Sequence, residues 1–361
     1  MRGTELKVSI IGAGTGGLCL AQGLKQDGIE VEVYERDHSP SDRLQGYRLS
    51  ISAVGRRALR QILFQGLDGV IRYGKKFVAF EDAPQGAVIA HFEDGSSATS
   101  DVLIGADGAG SHLRAQLLPQ ARRVKTGIVA VSGKLSLSDA VRGVTPELVL
   151  RGPTLILGPR GCFMFASTVD YEGAEAGSEQ IYDREKYVMW GFSAHDTTLN
   201  LPANLDALSG RDAIVAVIRL MDDWHPSLRR LVQTADVSAV TAFAVRTSVP
   251  IRPWATRNVT LLGDALHNMT PFRGIGANTA LRDATALRRA LVAAARGRAD
   301  LIQALAAYER DMIKYGFAAV QTSLKDMERF HADKFLARTV TKSFFRTIDR
   351  VPPLKAAFLG R

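Results

Sequence analysis

Residues 7–35 read KVSIIGAGTGGLCLAQGLKQDGIEVEVYE, and this stretch decides the fold class. Short apolar runs at its two ends have the length of buried strands, and Leu18, Ala21 and Leu24 repeat at helical spacing between them. Gly28 follows at a position where glycine commonly ends a helix. The stretch therefore predicts a strand, a helix and a second, parallel strand, the unit from which doubly wound α/β sheets are built.

The turn between the first strand and the helix carries the pattern Gly-x-Gly-x-x-Gly. Gly12 permits a tight turn, Gly14 lets the backbone approach a pyrophosphate, and Gly17 allows the helix to pack closely on the strand. Thr15 and Gly16 complete the first helical turn, whose unpaired N–H groups attract phosphate. The turn is therefore a candidate phosphate site.

An acidic residue, Glu35, ends the second predicted strand. In a dinucleotide-binding unit, a carboxylate at this position accepts hydrogen bonds from the ribose hydroxyls. Because strand, glycines, helix and acid occur in the required order, the sequence predicts a dinucleotide-binding site.

Two later segments indicate which dinucleotide is bound. The sequences DVLIGADG at 101–108 and NVTLLGDALH at 258–267 each combine a buried strand, a glycine-containing turn and a carboxylate. Strand ends converge on the ligand crevice of a doubly wound sheet, so we expect Asp107 and Asp264 to lie there. Carboxylates repel phosphate but accept hydrogen bonds from hydroxyls, such as those of the ribityl chain that flavin cofactors have and NAD lacks. The pattern favours FAD, with helix capping as the alternative role of each acid.

The middle of the chain has a different character. Longer predicted strands follow one another there, interrupted by a single predicted helix at 211–234. The α/β pattern resumes with a buried strand at 259–262, and helical spacing continues through 277–295 and about 301–330.

A sheet-rich segment between two α/β segments is typical of one domain inserted into another. We expect an α/β fold with a discontinuous Rossmann-type FAD-binding domain formed by 1–122 and 255–361, the C-terminal helices included. The inserted substrate-binding β-sheet domain is expected at 123–254.

Composition and charge narrow the class of protein further. An apolar fraction of 46% and a charged fraction of 23% are ordinary for a globular protein. Cys19 and Cys162 lie in no metal-ligand pattern, which argues against a metal or a disulfide. Neither a signal peptide nor an apolar run of about 20 residues is present, so we expect a cytoplasmic protein without stable membrane insertion. The net charge is +9, but the basic residues are interspersed with acidic ones, which argues against nucleic-acid binding.

These motifs together resemble the group A flavoprotein monooxygenases, the p-hydroxybenzoate hydroxylase-like family. The resemblance extends over nearly the whole chain. It rests on the glycine turn, on Glu35-Arg36, on Gly105-Ala-Asp107-Gly108-x-x-Ser111-x-x-Arg114, and on Gly263-Asp264-Ala-x-His267-x-x-x-Pro271-x-x-Gly274-x-Gly276-Ala277-Asn278. It implies FAD as cofactor and NADPH or NADH as co-substrate.

The resemblance also implies individual roles. It places Asp264 at the ribityl chain, Pro271 beside the flavin ring, and Asp107 in a motif used for both FAD and NAD(P)H. The helix that starts near Ala277 would direct N–H groups at the ring and stabilise the negative charge of reduced flavin. Phe272 is the aromatic residue expected nearest the substrate, and with Pro271 it is a candidate catalytic residue.

Three arginines are further candidates. Arg43 and Arg48, counted as catalytic, fall in a segment that loosely resembles the one near the flavin in tetracycline-inactivating hydroxylases. Arg56 resembles the family's FAD-phosphate arginine, with an exposed basic helix start as the alternative. Family members usually carry some tens of residues before this helix, whereas here 53–56 is the whole connection. That departure raises the alternative of a catalytically impaired FAD-binding protein.

The reaction implied by the resemblance is hydroxylation. NAD(P)H reduces FAD, O2 adds at C4a, and the C4a-hydroperoxyflavin hydroxylates an aromatic, quinone or polyketide-like small molecule in secondary metabolism or antibiotic modification. A related flavin-dependent epoxidase, halogenase or reductase is the alternative among enzymes. We interpret His267 as a residue that packs or orients its turn, in preference to a general base.

Overall fold

The computed structural model describes residues 6–39, 59, 62–170 and 186–333. Contacts between Cα atoms divide the chain into two compact units, Met1–Val124 with Thr247–Leu324 and Lys125–Arg246 with Lys325–Arg361. Each unit has a sheet and a hydrophobic core of its own. The assignment of 1–122 with 255–361 to FAD and of 123–254 to substrate stays a prediction.

The first unit contains a sheet of five described parallel strands. In spatial order they are β13 (Val259–Leu261), β7 (Val102–Gly105), β1 (Lys7–Ile11), β2 (Glu30–Tyr34) and β3 (Ile71–Arg72). Every residue of β7 is buried, as is β1 from Val8 onward. Continuous burial is typical of parallel strands covered on both faces, and it explains why these segments are apolar runs rather than alternating patterns.

Helices and a small sheet complete this unit. The helices are α1 (Thr15–Gln26), α2 (His112–Leu117), α8 (Asp264–His267), α9 (Gly276–Ala295) and, as far as Leu324, α10 (Leu301–Phe330). The antiparallel strands are β4 (Phe77–Asp82), β5 (Val88–Phe92) and β6 (Ser97–Ser100). Helix α1 packs against α9. A Cβ on Gly16 would lie 3.3 Å from Ala280 Cβ and 2.6 Å from Leu262 Cδ1, so glycine permits this close packing.

The second unit is built around one sheet with helices on one face. In spatial order the strands are β12 (Thr241–Ser248), β8 (Arg123–Ser136), β11 (Tyr187–His195), β10 (Phe163–Val169) and β9 (Thr154–Leu157). Its helices are α3 (Asp139–Val144), α4 (Glu147–Leu150), α5 (Asp196–Leu199), α6 (Gly210–Arg219) and α7 (Pro226–Gln233). Trp190 and Phe192 of β11 share a core with Val217 of α6 and Leu231 of α7.

The single helix predicted at 211–234 is wrong, because the chain forms α6 and α7 there. Pro226 occupies the first turn of α7, where its missing N–H costs nothing, and it cannot continue a preceding helix. His225 is the N-cap, and its Nδ1 accepts a hydrogen bond from Ser227 N at 3.3 Å. The short helices α3, α4 and α5 were not predicted, since four to six residues carry too little periodicity.

Neither membrane crossing nor a metal cluster is indicated in the residues that the structure describes. No helix among them is both long enough and apolar enough to cross a membrane. Within the same residues no group of three or more His, Cys, Asp or Glu could hold a metal ion. Cys19 and Cys162 are free thiols.

Candidate cofactor site

The glycine turn between β1 and α1 is tightly enclosed by backbone. Gly12 has φ +106°, and a Cβ there would lie 2.5 Å from Ala106 O and 2.9 Å from Asp107 Cα. A Cβ on Gly17 would overlap Gly12 O. Only glycine at these positions lets β1, β7 and α1 come this close, which brings the turn next to Asp107.

The N-terminus of α1 offers unpaired N–H groups. Gly14 is the N-cap, and no side chain caps the helix. The first intrahelical hydrogen bond runs from Leu18 N to Gly14 O at 2.9 Å. The N–H groups of Thr15, Gly16 and Gly17 therefore have no acceptor within the helix, and the helix dipole adds a positive potential. This is the arrangement that a pyrophosphate needs.

Glu35 is buried at the carboxyl end of β2 and closes the turn from the other side. Its Oε2 accepts from Ala13 N at 2.7 Å, and its Oε1 accepts from Asp37 N at 3.1 Å. Each carboxylate oxygen has two lone pairs, so both can accept a further hydroxyl. Glu35 can thus hold the turn and a ribose together, whereas the neighbouring Arg36 is exposed.

The two carboxylate oxygens of Asp107 differ in their hydrogen bonding. Its Oδ2 accepts from His112 N at 2.9 Å and so caps α2. Its Oδ1 is buried and has no hydrogen-bond partner among the described residues. Burial raises the pKa of Asp107, against a hydrogen bond with the Ser111 side chain and the N–H groups at the start of α2, which lower it. A buried carboxylate oxygen needs a donor, and a ligand hydroxyl beside Gly108 would provide one.

Asp264 and the start of α9 lie together. Gly263 turns the chain with φ +62°, and Asp264 begins α8. A Cβ on Gly276 would lie 4.0 Å from Asp264 Oδ1, so the carboxylate adjoins the first turn of α9. Among the described residues no side chain caps α9, and the hydrogen bonds within the helix start with the one from Thr279 N to Ile275 O. A hydroxyl acceptor and unpaired N–H groups are therefore neighbours.

The segment between α8 and α9 forms an accessible turn. Pro271 begins a single 3-10 turn and is exposed, while Phe272 is half-buried. Gly274 ends that turn in the left-handed region with φ +64°. Ala277 lies in the first turn of α9, and Asn278 beside it is exposed.

Two arginines tie the Asp107 loop to α8. Arg114 Nη1 donates to Ala109 O at 3.1 Å and to Ala265 O at 2.8 Å. Arg123 Nη1 donates to the same Ala109 carbonyl at 2.9 Å, and its Nε donates to Asn268 Oδ1 at 3.0 Å. These structural roles could not be predicted from the sequence, because the acceptors on Ala109 and Ala265 are backbone carbonyls that no residue type reveals.

His267 is fully buried and bonded to a residue that the sequence analysis missed. Its Nε2 lies 2.6 Å from Asp283 Oδ2 on α9. Burial opposes a charge on His267, but the hydrogen bond and the charge of Asp283 outweigh it and raise the pKa of His267. A signal was available, since Asp283 interrupts the buried stripe formed by Leu287 and Leu291 at a spacing of four.

These features fit FAD. The structure brings together the glycine turn, Glu35, Asp107, Asp264 and the start of α9, and it leaves a buried acid oxygen and two uncapped helix N-termini among them. The candidate residues Arg43, Arg48 and Arg56, and the short connection 53–56, lie outside the described residues.

Comparison with known proteins also indicates an FAD-binding domain. Residues 206–323 match the FAD binding domain family, and residues 10–57 match the NAD(P)-binding Rossmann-like domain family. The chain is 28% identical over 420 residues to a dual O-methyltransferase/FAD-dependent monooxygenase of Phaeosphaeria nodorum, covering 88% of this chain and 45% of the relative. It is 26% identical over 360 residues to the aurachin C monooxygenase/isomerase of Stigmatella aurantiaca, covering 85% of each.

A solved structure gives a fuller match. A protein of Photorhabdus luminescens assigned as an FAD-containing monooxygenase superimposes with a TM-score of 0.80 and 32% identity, covering 90% of this chain and 98% of that one. The chain spans less than half the length of the dual-function fungal relatives. The predicted α/β fold with a Rossmann-type FAD-binding domain is confirmed, and the chain belongs to the p-hydroxybenzoate hydroxylase-like, group A family of FAD-dependent monooxygenases.

Proposed function

We propose that the protein is a monooxygenase that uses FAD, NADPH or NADH, and O2 to hydroxylate an aromatic, quinone or polyketide-like small molecule. The observation that carries the proposal is the buried Oδ1 of Asp107, which has no partner among the described residues and adjoins the Gly12 turn. A donor-rich ligand such as the ribityl chain of FAD would satisfy that oxygen, since most buried polar atoms have a hydrogen-bond partner.

Each part of the site has a task in this proposal. The first turn of α1 holds the pyrophosphate, Glu35 holds the adenosine ribose, and Asp107 and Asp264 accept from hydroxyls of the cofactor. The first turn of α9 stabilises the negative charge of the reduced ring. Bound FAD, once reduced by NAD(P)H, supplies the activation of O2 at its C4a position. Pro271 and Phe272 are proposed to lie at the ring and the substrate.

The second unit offers a surface suited to a flat substrate. Residues of β11 alternate, so Gly191 lies on the face opposite the buried Trp190 and Phe192. Gly191 pairs with Phe165 on one neighbouring strand and with Ser132 on the other, and no atom of the described residues lies within 4 Å of where its Cβ would be. Ser132 Oγ lies 3.3 Å from Thr241 Oγ1. An aromatic ring, open space and a hydroxyl pair in one row suit a planar ring with polar substituents.

The proposal is tested on the purified protein. Its visible spectrum should show bound FAD, and oxidation of NADPH or NADH under O2 should accelerate with a phenol, quinone or tetracycline from a panel. The product should be heavier by one oxygen atom. Bound flavin that neither nucleotide reduces would instead identify a catalytically impaired FAD-binding protein, and a preparation without flavin would refute the proposed cofactor site.

A further inference from the structure

Asp283 gathers hydrogen bonds from three separate parts of the first unit. It is fully buried on α9. Its Oδ2 accepts from Gly263 N at 2.7 Å and lies 2.6 Å from His267 Nε2. Its Oδ1 accepts from Tyr315 Oη at 2.6 Å, on α10. One carboxylate therefore joins the β13–α8 turn, helix α8 and helix α10 to helix α9.

Such a buried carboxylate is stable only because it is surrounded by donors. Charge-assisted hydrogen bonds of this length are stronger than neutral ones, and three of them offset the cost of removing the charge from water. Burial lowers the pKa of His267, but its hydrogen bond to Asp283 and the charge of Asp283 outweigh burial and raise it. The charge on Asp283 is thus fixed at one place, 2.7 Å from the Gly263 N–H.

The residues around Asp283 and His267 are tightly packed. Gly316 lies in the middle of α10, where glycine costs about 0.5–1 kcal/mol relative to alanine. A Cβ there would lie 2.6 Å from His267 Cδ2, so the glycine makes space for the imidazole. A Cβ on Gly263 would lie 3.0 Å from Ala280 Cβ. The turn that carries Asp264 is therefore confined by α9 on one side and held by Asp283 through its N–H.

We infer that Asp283 is a positioning residue for FAD: by accepting the Gly263 N–H it fixes the Leu262–Gly263 peptide at the start of the turn, and hence the place of the Asp264 carboxylate that follows. The inference rests on the proposed function, in which Asp264 accepts from the cofactor. Asp283 also lies on α9, whose first turn contains Gly276. A Cβ on Gly276 would lie 4.0 Å from Asp264 Oδ1. The same residue therefore holds both sides of this part of the site in register.

The test compares three variants on the holoprotein. Asp283→Asn keeps the shape, but an amide has one acceptor oxygen and cannot serve donors on both sides. Tyr315→Phe removes only the bond to Asp283 Oδ1. Tyr308→Phe is the matched control, because it removes a tyrosine hydroxyl from the same helix, the buried one that donates to Leu261 O at 2.8 Å, and leaves the Asp283 bonds in place.

FAD release on dilution, followed by flavin fluorescence, gives the dissociation constant, and visible circular dichroism reports the surroundings of the bound flavin. We expect Asp283→Asn to raise the dissociation constant about tenfold or more and to alter the dichroism, and Tyr315→Phe to raise the constant about threefold. Tyr308→Phe should lower thermal stability as much as Tyr315→Phe but leave both flavin readouts unchanged.

The failures are distinguishable. If wild-type protein binds FAD and Asp283→Asn binds it as tightly with the same dichroism, the inference is wrong and the proposed function stands. Equal losses in Tyr315→Phe and Tyr308→Phe would also overturn it, since any buried hydroxyl would then have the same effect, and that pair decides if Asp283→Asn does not fold. Wild-type protein without FAD would refute the proposed function itself.

Discussion

The candidate sites of the two units differ in how far they can be recognised from the sequence. In the first unit the carboxyl ends of β1, β2 and β7 lead into glycine turns and single carboxylates, and the candidate cofactor groups are recognisable residue by residue. In the second unit the candidate surface lies on a sheet face, where Phe165, Gly191 and Ser132 form a row only through strand register. A site made at strand ends leaves a motif, whereas a site made across strands does not.

The physical reason lies in what each site must recognise. A pyrophosphate and ribose hydroxyls demand backbone N–H groups and fixed acceptors, and few residue types allow such close approach. A flat organic substrate demands mainly shape and apolar area, which many side chains supply. We therefore expect substitutions in the first unit to act on FAD and those on the open face of the second to act on substrate.

The largest effect is expected from Gly12→Val. A side chain there would collide with Ala106 O in a backbone conformation that valine rarely adopts, so the protein should be purified without flavin. Gly28→Ala is the control, since Gly28 also has positive φ but no atom in the described part of the chain lies within 4 Å of its Cβ position. Its flavin content, read from the visible spectrum, should equal that of wild type. Full flavin in Gly12→Val would contradict the assignment of the turn.

Gly191→Leu should distinguish an effect on substrate from an effect on FAD. The side chain would fill the open space between Phe165 and Ser132. Because a filled surface cannot hold a planar substrate, we expect substrate stimulation of NAD(P)H oxidation to fall about tenfold or more. Bound FAD should stay at the wild-type level. Val188→Ala alters the same strand on the helix-covered face. It should lower thermal stability and leave the substrate response unchanged. A normal response in Gly191→Leu would remove this face from the proposal.

Asp107→Asn should give a smaller, selective effect. The amide oxygen can still accept from His112 N and keep the cap of α2, but an NH2 group then replaces the oxygen that would accept from a cofactor hydroxyl. We expect FAD affinity to fall about tenfold, with the free energy of unfolding of the flavin-free protein changed by less than about 1 kcal/mol. An unchanged affinity would leave Asp107 with its capping role alone.

The smallest effect on function is expected at Glu309, a buried carboxylate of the first unit outside the candidate site. Burial raises its pKa to about 7, against the hydroxyls of Thr256 and Thr260, which lie 2.5 and 2.8 Å away and lower it. The folded protein then binds a proton more tightly than the unfolded chain does. The associated stability is complete below about pH 4.5 and is lost as the pH rises to about 7.

Glu309→Gln should remove this pH dependence. The difference in the free energy of unfolding between wild type and variant, measured by urea denaturation from pH 4.5 to 7.5, should change by up to about 3 kcal/mol across that window. Bound FAD and the turnover of NAD(P)H should remain those of wild type at each pH. A constant difference would mean that Glu309 titrates normally in the folded protein.

Much of the first unit could be predicted because its constraints are local. The order of strand, glycine turn, helix and acid from Lys7 to Glu35 is contiguous, and each element appears as predicted. The helix break at Pro226 was missed although proline is a local signal, because the apolar spacing continues on both sides of it. Roles of individual site residues, including Arg43, Arg48 and Arg56, stay predictions.

The sequence by itself determined the dinucleotide unit and the resemblance to the flavoprotein monooxygenases, since close approach to a pyrophosphate restricts residue type at fixed spacing. Only the tertiary structure showed that Asp107 leaves one oxygen without a partner among the described residues, and that Asp283 meets Gly263 and Tyr315. These bonds join residues 20 and 32 positions apart through side chains from different helices. No periodicity records such pairings, because they depend on how the elements pack and not on the order of residues within any one of them.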